Sequence, residues 1–598
     1  MTSSPVTPAS VALANRAGRS PRILLVVAAL AVGFAAVDTY VVVLALPDMM
    51  SSAGLEVDEL QRAAPIVSGF LLGYIAMLPL IGRIADLRGH IPVLVGSLLV
   101  FSVGSLVTAA SYDLATMVIG RFLQGVGGGG LVPATLALVA DIWVAERRGL
   151  PLGVVGAVQE LGSVLGPLYG ALVLAVSGWQ AIFWINLAVG CILAAALLVL
   201  GGDGSAATAR ARMPDLVGGL LALGALGALT LVLLEPDRLK SGMTTGLAFI
   251  PYVGDSRWST PVALFCYLAA ILLVVREMTA ARPLVDLRGW SRTLEHADLP
   301  GAALLGLSLA GIVLAFASAD PEIQVLSPSG PWLLVGSALA AGLFAWRQRL
   351  ASNPLVPHDA LRERAAWGGL AVSFFVGASL IAALVDIPIF ARITVYPESQ
   401  LGAALVLVRL LVALPVGALL GGYLIRRWAP SMLAAAGMVL AAAGFVWMTS
   451  WGLRTLEDPI ATTLPLVMCG FGFGLAIAPV NAALLASTRN EVHGVASALL
   501  VVARMVGMLV GISCLTTIGL RRFYSVAEDV PPLEEVCASG TGVCDAYLDA
   551  LTEAGIAQIH AIFWGAAVAA LVAAVLSAVL LRGTRVEGTE VDRGGVPL

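Results

Sequence analysis

Long apolar runs separated by short polar breaks occupy this chain from one end to the other. The runs fall at 23–47, 64–82, 92–110, 115–140, 151–175, 181–200, 216–234, 260–275, 299–317, 331–346, 366–390, 401–425, 431–450, 463–487, 494–520 and 558–581. A helix rising 1.5 Å per residue needs about 20 apolar residues to cross about 30 Å of hydrocarbon, so the pattern predicts sixteen transmembrane helices in an all-α membrane protein. Those spans absorb about 320 residues and leave connections of about 16 residues each, into which no separate catalytic domain fits.

Composition agrees with the pattern. Charged residues make up 12% of the chain against about 25% in soluble domains, apolar residues 59%, and the mean hydropathy is +0.94. The basic residues set the orientation, because Lys and Arg flanking spans stay in the cytoplasm. With Arg16, Arg19 and Arg22 inside, the sixteen-span topology leaves 23 of the 34 basic residues inside, 8 outside and 3 within spans. Both termini are therefore expected in the cytoplasm and the first run is read as an uncleaved span carrying Asp38. Lys240 is the only lysine, and the accompanying Arg and Ala bias points to a high-GC bacterial genome, hence to a bacterial cytoplasmic membrane.

Two stretches repeat. Residues 214–285 open on Asp215-Leu216 and close on Pro283-Leu284-Val285; residues 297–356 open on Asp298-Leu299 and close on Pro354-Leu355-Val356. Each copy reads as a two-span hairpin, and removing both leaves six spans before and six after. The organisation expected is a cytoplasmic tail (1–22), a six-helix bundle (23–200), a linker of two hairpins (215–361), a second six-helix bundle (366–581) with an external loop at 521–557, and a cytoplasmic tail (582–598).

The motifs carry a family resemblance. Gly82-Arg83-Ile84-Ala85-Asp86-Leu87-Arg88-Gly89 resembles the cytoplasmic loop motif of the major facilitator superfamily, with Leu87, His90 and Ile91 where basic residues are usual. Arg121-Phe122-Leu123-Gln124-Gly125 follows in span 4, and Gly153, Gly162, Gly166, Pro167 and Gly170 stand at the spacing of the antiporter motif in span 5. Asp38-Thr39-Tyr40, Gln159-Glu160-Leu161-Gly162, Phe183-Trp184-Ile185-Asn186 and Val502-Ala503-Arg504-Met505 resemble one branch of the fourteen-span drug:proton antiporters, the mycobacterial lipid and multidrug exporters encoded beside a lipoprotein. The resemblance implies a 6+6 bundle with pseudo-symmetric halves, alternating access, proton coupling, and a triacylglyceride-like or amphiphilic substrate. It also implies a periplasmic lipoprotein partner and a monomer. Members of that branch carry one linker hairpin, so the second is a departure. General multidrug:proton antiport without a lipid role is the alternative that the apolar spans leave open.

Charges held in hydrocarbon cost about 2.5–3.5 kcal/mol each or more, which makes them candidates for function. They are Asp38, Arg121, Glu160, Asp386, Arg409 and Arg504. A desolvated carboxylate takes up a proton readily and releases it when an arginine approaches, so Asp38 and Glu160 are the expected proton carriers. At 100° per residue Glu160 projects roughly 120° from the stripe of Gly162, Gly166 and Gly170, towards the cavity, and the family resemblance implies that it pairs there with Arg504 of the other half. Gly82, Asp86, Arg88 and Gly89 are expected to gate the cytoplasmic end, Asp86 by pairing with basic residues or a helix N-terminus of the other half.

Other chemistries are excluded or bounded. Gly127–Gly130 is not followed by Lys-Ser/Thr and is read as a packing surface; no Walker motif supports an ATP-driven pump, so the proton gradient replaces any cofactor. The five histidines are scattered, no metal site is expected, and no basic-aromatic surface suggests nucleic acid. A membrane glycosyltransferase needs carboxylates in a long first external loop, and 48–63 is short. Cys537 and Cys544, seven residues apart in the external loop, are expected to form a disulfide.

Overall fold

The computed structural model describes residues 21–55, 60–144, 147–201, 215–280, 283–317, 327, 329–357, 361–396, 399–528, 530 and 545–584. The described secondary structure is entirely helical. The first half contains α1 (Pro21–Ser52), α2 (Leu60–Arg88), α3 (His90–Ala109), α4 (Leu114–Ile142), α5 (Gly149–Val176) and α6 (Gln180–Gly201). The linker contains α7 (Leu216–Leu234), α8 (Pro261–Thr279), the short α9 (Leu287–His296), α10 (Leu299–Ala317) and α11 (Gly330–Leu350). The second half contains α12 (Arg364–Thr394), α13 (Gln400–Leu424), α14 (Pro430–Met448), α15 (Pro459–Ala486), α16 (His493–Ala527) and α17 (Asp545–Leu580).

Every one of the sixteen apolar runs lies in a helix to within two residues at either end. Among the described residues fourteen helices are long and apolar enough to cross a membrane; the other two runs lie in α5 and α11, of 28 and 21 residues. Helix starts follow local chemistry, with Asp113 accepting from Thr116 N–H at 2.8 Å, Asp458 from Ile460 N–H at 2.8 Å and Ser399 from Gly402 N–H at 3.0 Å. Prolines inside α2, α4, α12, α13 and α15 are tolerated because neighbouring helices satisfy the backbone they free.

The two halves repeat one packing scheme. In the first, α1 packs on α5, α4 on both α2 and α3, and α3 on α6; in the second, α12 packs on α16, α15 on both α13 and α14, and α14 on α17. The halves meet chiefly through two reciprocal pairs, α2 with α16 and α5 with α13, with a second reciprocal set, α4 with α16 and α5 with α15, behind them. Backbones touch closely there: a Cβ on Gly82 would lie 2.6 Å from Gly494 O, and one on Gly149 2.2 Å from Gly422 O. Since lipid tails are as apolar as leucine, such close small-residue packing takes the place of a hydrophobic drive between helices. Both contacts fall at the same end of the bundle, here called the Asp86 end.

Asp86 lies in the last turn of α2, at the end of the second span, because the helix continues to Arg88 before Gly89 turns the chain at φ +94°. Two expectations are corrected. The eleventh span of the 6+6 plan, α16, runs 35 residues instead of 27, and α17 runs 36. At about 52–54 Å of helix each, both outrun the hydrocarbon. Arg88 does not face the other half: its guanidinium donates to Asp286 at 2.8 Å and stacks over Trp290 at 5.1 Å, which pins the linker helix α9 to the α2–α3 turn. That hydrogen bond holds the Asp286 carboxyl below the usual carboxylate range.

The hairpin repeat extends to its ion pairs. Asp215 accepts from Gly218 N–H and pairs with Arg276 at 3.0 Å; Asp298 accepts from Gly301 N–H and pairs with Arg347 at 3.1 Å. Arg276 and Arg347 each stand seven residues before the Pro-Leu-Val close. In both copies one aspartate thus caps the first helix and clasps the last turn of the second.

Candidate functional site

Asp38 on α1 and Arg121 on α4 form an ion pair within the first half. Arg121 Nη1 donates to Asp38 Oδ2 at 2.8 Å, and the two residues are 0% and 1% exposed. Two side chains that the sequence motifs contain, but to which no role was assigned from the sequence, complete the site. Gln124 accepts from Arg121 Nη1 at 2.9 Å and donates to Ser105 at 2.9 Å, and Asn186 on α6 donates to Asp38. The guanidinium also stacks on Phe70 at 4.5 Å. Buried charges are tolerated when paired and hydrogen-bonded; here the Asp38 carboxylate and the Arg121 guanidinium are both, while Asn186 Oδ1 has no partner among the described residues. Gln124 and Asn186 are amides inside apolar runs and stand in two of the motifs that carry the family resemblance, the signals in the sequence that could have assigned them a role.

Small residues let the helices come this close. A Cβ at Gly127 would meet Phe101 N at 2.4 Å and one at Gly129 would meet Tyr74 O at 2.7 Å, so α4 presses on α3 and α2 along the glycine run. Of the antiporter-motif residues, Gly162 and Gly170 face α1 at Gly33 and Val41, whereas Gly153 faces Ala418 of α13. Gly166 is buried. The side chains of Pro167 and Glu160 lie outside the described residues, as do Cys537 and Cys544.

In the second half Asp386 on α12 and Arg504 on α16 are buried, at 6% and 5% exposure, and Arg409 on α13 is half-buried. Asp386 and Arg409 make no ion pair or hydrogen bond among the described residues. Of the six buried charges singled out from the sequence, Asp38 and Arg121 form an ion pair, whereas Asp386 and Arg409 are not joined to each other among the described residues.

Asp86 forms the second candidate site. Its side chain, 1% exposed, accepts from Gly494 N–H at 2.6 Å and Val495 N–H at 3.0 Å. Helix α16 has Val492 at its N-cap, which offers no side-chain acceptor, so Gly494 and Val495 are the second and third residues of the helix and carry orphan donors. Asp86 therefore caps a helix of the opposite half, where the helix dipole also favours its charge. His90 lies 4.0 Å from Asp86 and 2.6 Å from Asp141. The arrangement binds charge and backbone; it holds no nucleophile–base pair, and no cluster of metal-ligating side chains occurs among the described residues.

Two pseudo-symmetric six-helix halves that close on glycine contacts around buried charges define a secondary membrane transporter. The chain belongs to the Major Facilitator Superfamily, whose profile matches residues 28–347. It is a transporter, not an enzyme, and a multi-pass membrane protein. Among its relatives, a triacylglyceride transporter of Mycolicibacterium smegmatis is 33% identical over 587 residues, covering 95% of this chain and 89% of that protein. A triacylglyceride transporter of Mycobacteroides abscessus is 34% identical over 504 residues, covering 83% and 82%. One of Mycobacterium tuberculosis is 33% identical over 547 residues, covering 88% and 89%. The likeness to mycobacterial lipid transporters read from the motifs is borne out.

Proposed function

We propose that this chain is a proton-coupled exporter that moves triacylglyceride-like lipids or other amphiphiles out of the cytoplasmic membrane by alternating access. The observation that carries the reading is the wholly buried Asp38–Arg121 pair in a chain whose relatives are named triacylglyceride transporters. A carboxylate enclosed with an arginine binds a proton when the arginine withdraws and loses it when the arginine returns, which couples protonation to helix movement. Glu160, Arg504, Asp386 and Arg409 extend this path into the second half. The basic-residue asymmetry puts the Asp86 end in the cytoplasm with both termini, so Asp86, with Gly82 and Gly89, stabilises the state closed to the cytoplasm and open outward.

Helices α16 and α17, long enough to project beyond the membrane, support a hand-over of lipid to a periplasmic lipoprotein. A triacylglyceride cannot leave through water, since each buried CH₂ is worth about 0.8 kcal/mol. The test is transport of labelled triacylglycerol and of a cationic dye by the purified protein in proteoliposomes, with and without an imposed pH gradient. Lipid movement that rises with the gradient is expected. Movement of dye alone would establish multidrug antiport, and movement of lipid indifferent to the gradient would remove the proton coupling.

A further inference from the structure

The two interfaces between the halves differ in what covers them. Helix α10, the first helix of the second hairpin, packs against both α2 and α16, and therefore lies over the line where those helices meet. Its Gly306 faces Ala76 of α2, with a Cβ position 3.4 Å from Ala76 O. Ala302, Leu309 and Val313 are buried and join the core that runs from the first half into α15 and α16 of the second. Beyond α11, Val356 packs on Val492 and Val495 at the start of α16, so the hairpin is seated on both halves. Ala76 is ten residues from Asp86, about 15 Å along the helix, which sets the cover at mid-membrane depth.

The α5/α13 line has no such cover among the described residues, where no linker helix packs extensively against α5 or α13. Among the described residues the first hairpin rides on the first half, where Leu233 meets Val107 and Trp258 donates to Tyr112 at 3.1 Å. Side-chain exposure follows the same asymmetry. Across the described side chains of residues 65–86 on α2 and 493–517 on α16, no leucine, isoleucine, valine, methionine or aromatic is exposed. On α5 and α13, away from the Gly149–Gly422 contact, Leu161, Leu165, Leu172, Leu405, Val412 and Val416 are exposed, at 38–68%.

We infer that the second hairpin seals the α2/α16 seam against bilayer lipid, and that a membrane-borne substrate passes between the bilayer and the interior of the bundle through the α5/α13 seam. The inference rests on the reading of a lipid or amphiphilic substrate. The extra hairpin thereby converts a bundle with two equivalent lateral openings into one with a single open side. A large apolar side chain left exposed at mid-membrane depth meets acyl chains, whereas the α2/α16 seam meets α10.

The experiment uses the full chain in nanodiscs of phosphatidylcholine doped with a phospholipid carrying a mid-chain diazirine. After photolysis, peptides of α5 and α13 should carry several-fold more label than those of α2 and α16. Gly306→Trp, which pushes α10 off Ala76, should raise labelling of α2 and α16. Equal labelling of the two seams in the unmodified chain overturns the seal. A second variant, Ala76→Cys with Gly306→Cys, places the two Cβ atoms 3.8 Å apart, inside the range of about 3.5–4.5 Å that a disulfide spans. Transport should survive oxidation of this pair, because α10 stays on the seam throughout the cycle; transport lost on oxidation and restored on reduction refutes that. Failure of the unmodified chain to move lipid would count against the proposed substrate and not against the seal, which the labelling reads directly.

Discussion

Replacing Asp86 tests whether the contact between α2 and α16 sets the balance of conformations. Asp86 accepts from two N–H groups of the α16 N-terminus at 2.6 and 3.0 Å from a nearly sealed position. Loss of a helix cap costs about 0.5–2 kcal/mol, and loss of a charge at a partly buried helix N-terminus adds about 0.3–2 kcal/mol. Because this cap joins the two halves, the cost falls on the closed state alone. Asp86→Ala should therefore weaken closure of the Asp86 end by about 1–3 kcal/mol, a shift of about 5- to 150-fold in the closed-to-open ratio. Asp86→Asn keeps one acceptor oxygen and should give the smaller shift. Spin labels at Val144 and Trp428, both exposed and on opposite halves near this end, report the change as a longer-distance population in pulsed dipolar spectra. Distance distributions identical in the parent and both variants would refute the cap as a conformational lock.

Arg121→Ala leaves Asp38 buried without its ion partner and should cost about 3–5 kcal/mol of stability, whereas Asp38→Asn with Arg121→Gln should cost less; additive losses in thermal melts would contradict the coupling. Glu160→Gln should abolish gradient-driven transport at parental extraction yield, and Arg504→Ala should be less damaging to stability when combined with it than alone, additivity again arguing against a shared network. Asp215→Asn and Asp298→Asn keep their cap oxygens and lose pairs whose arginines are 41% exposed, so each should leave the thermal melt nearly unchanged, since solvent screens such pairs; a clear fall in melting temperature would mean that the clasps hold the hairpins in place. Replacing residues 529–544 by a Gly/Ser linker should reduce lipid delivery to an acceptor lipoprotein and spare dye efflux, and equal loss of both would make the segment structural only.

The sixteen helices were legible because hydrocarbon demands runs of about 20 apolar residues, a local requirement that each segment satisfies by itself. The hairpin repeat was legible for a similar reason, since Asp215 and Asp298 open their helices by capping within three residues. The buried charges announced themselves by their cost in lipid, yet their partners did not. Arg121 reaches Asp38 across 83 positions and Val495 reaches Asp86 across 409, and no period along the chain encodes either. Spans apolar on all sides also carry little record of which face meets a helix and which meets lipid, because leucine suits both. Close approach at particular small residues settles that choice: Gly82 on Gly494, Gly149 on Gly422 and Gly306 on Ala76. Arg88, read as part of a gate, was drawn to Asp286 and Trp290 of α9 because the linker folds back onto the α2–α3 turn. The cover of α10 over one seam alone likewise depends on where the whole hairpin docks, which only the assembled bundle decides.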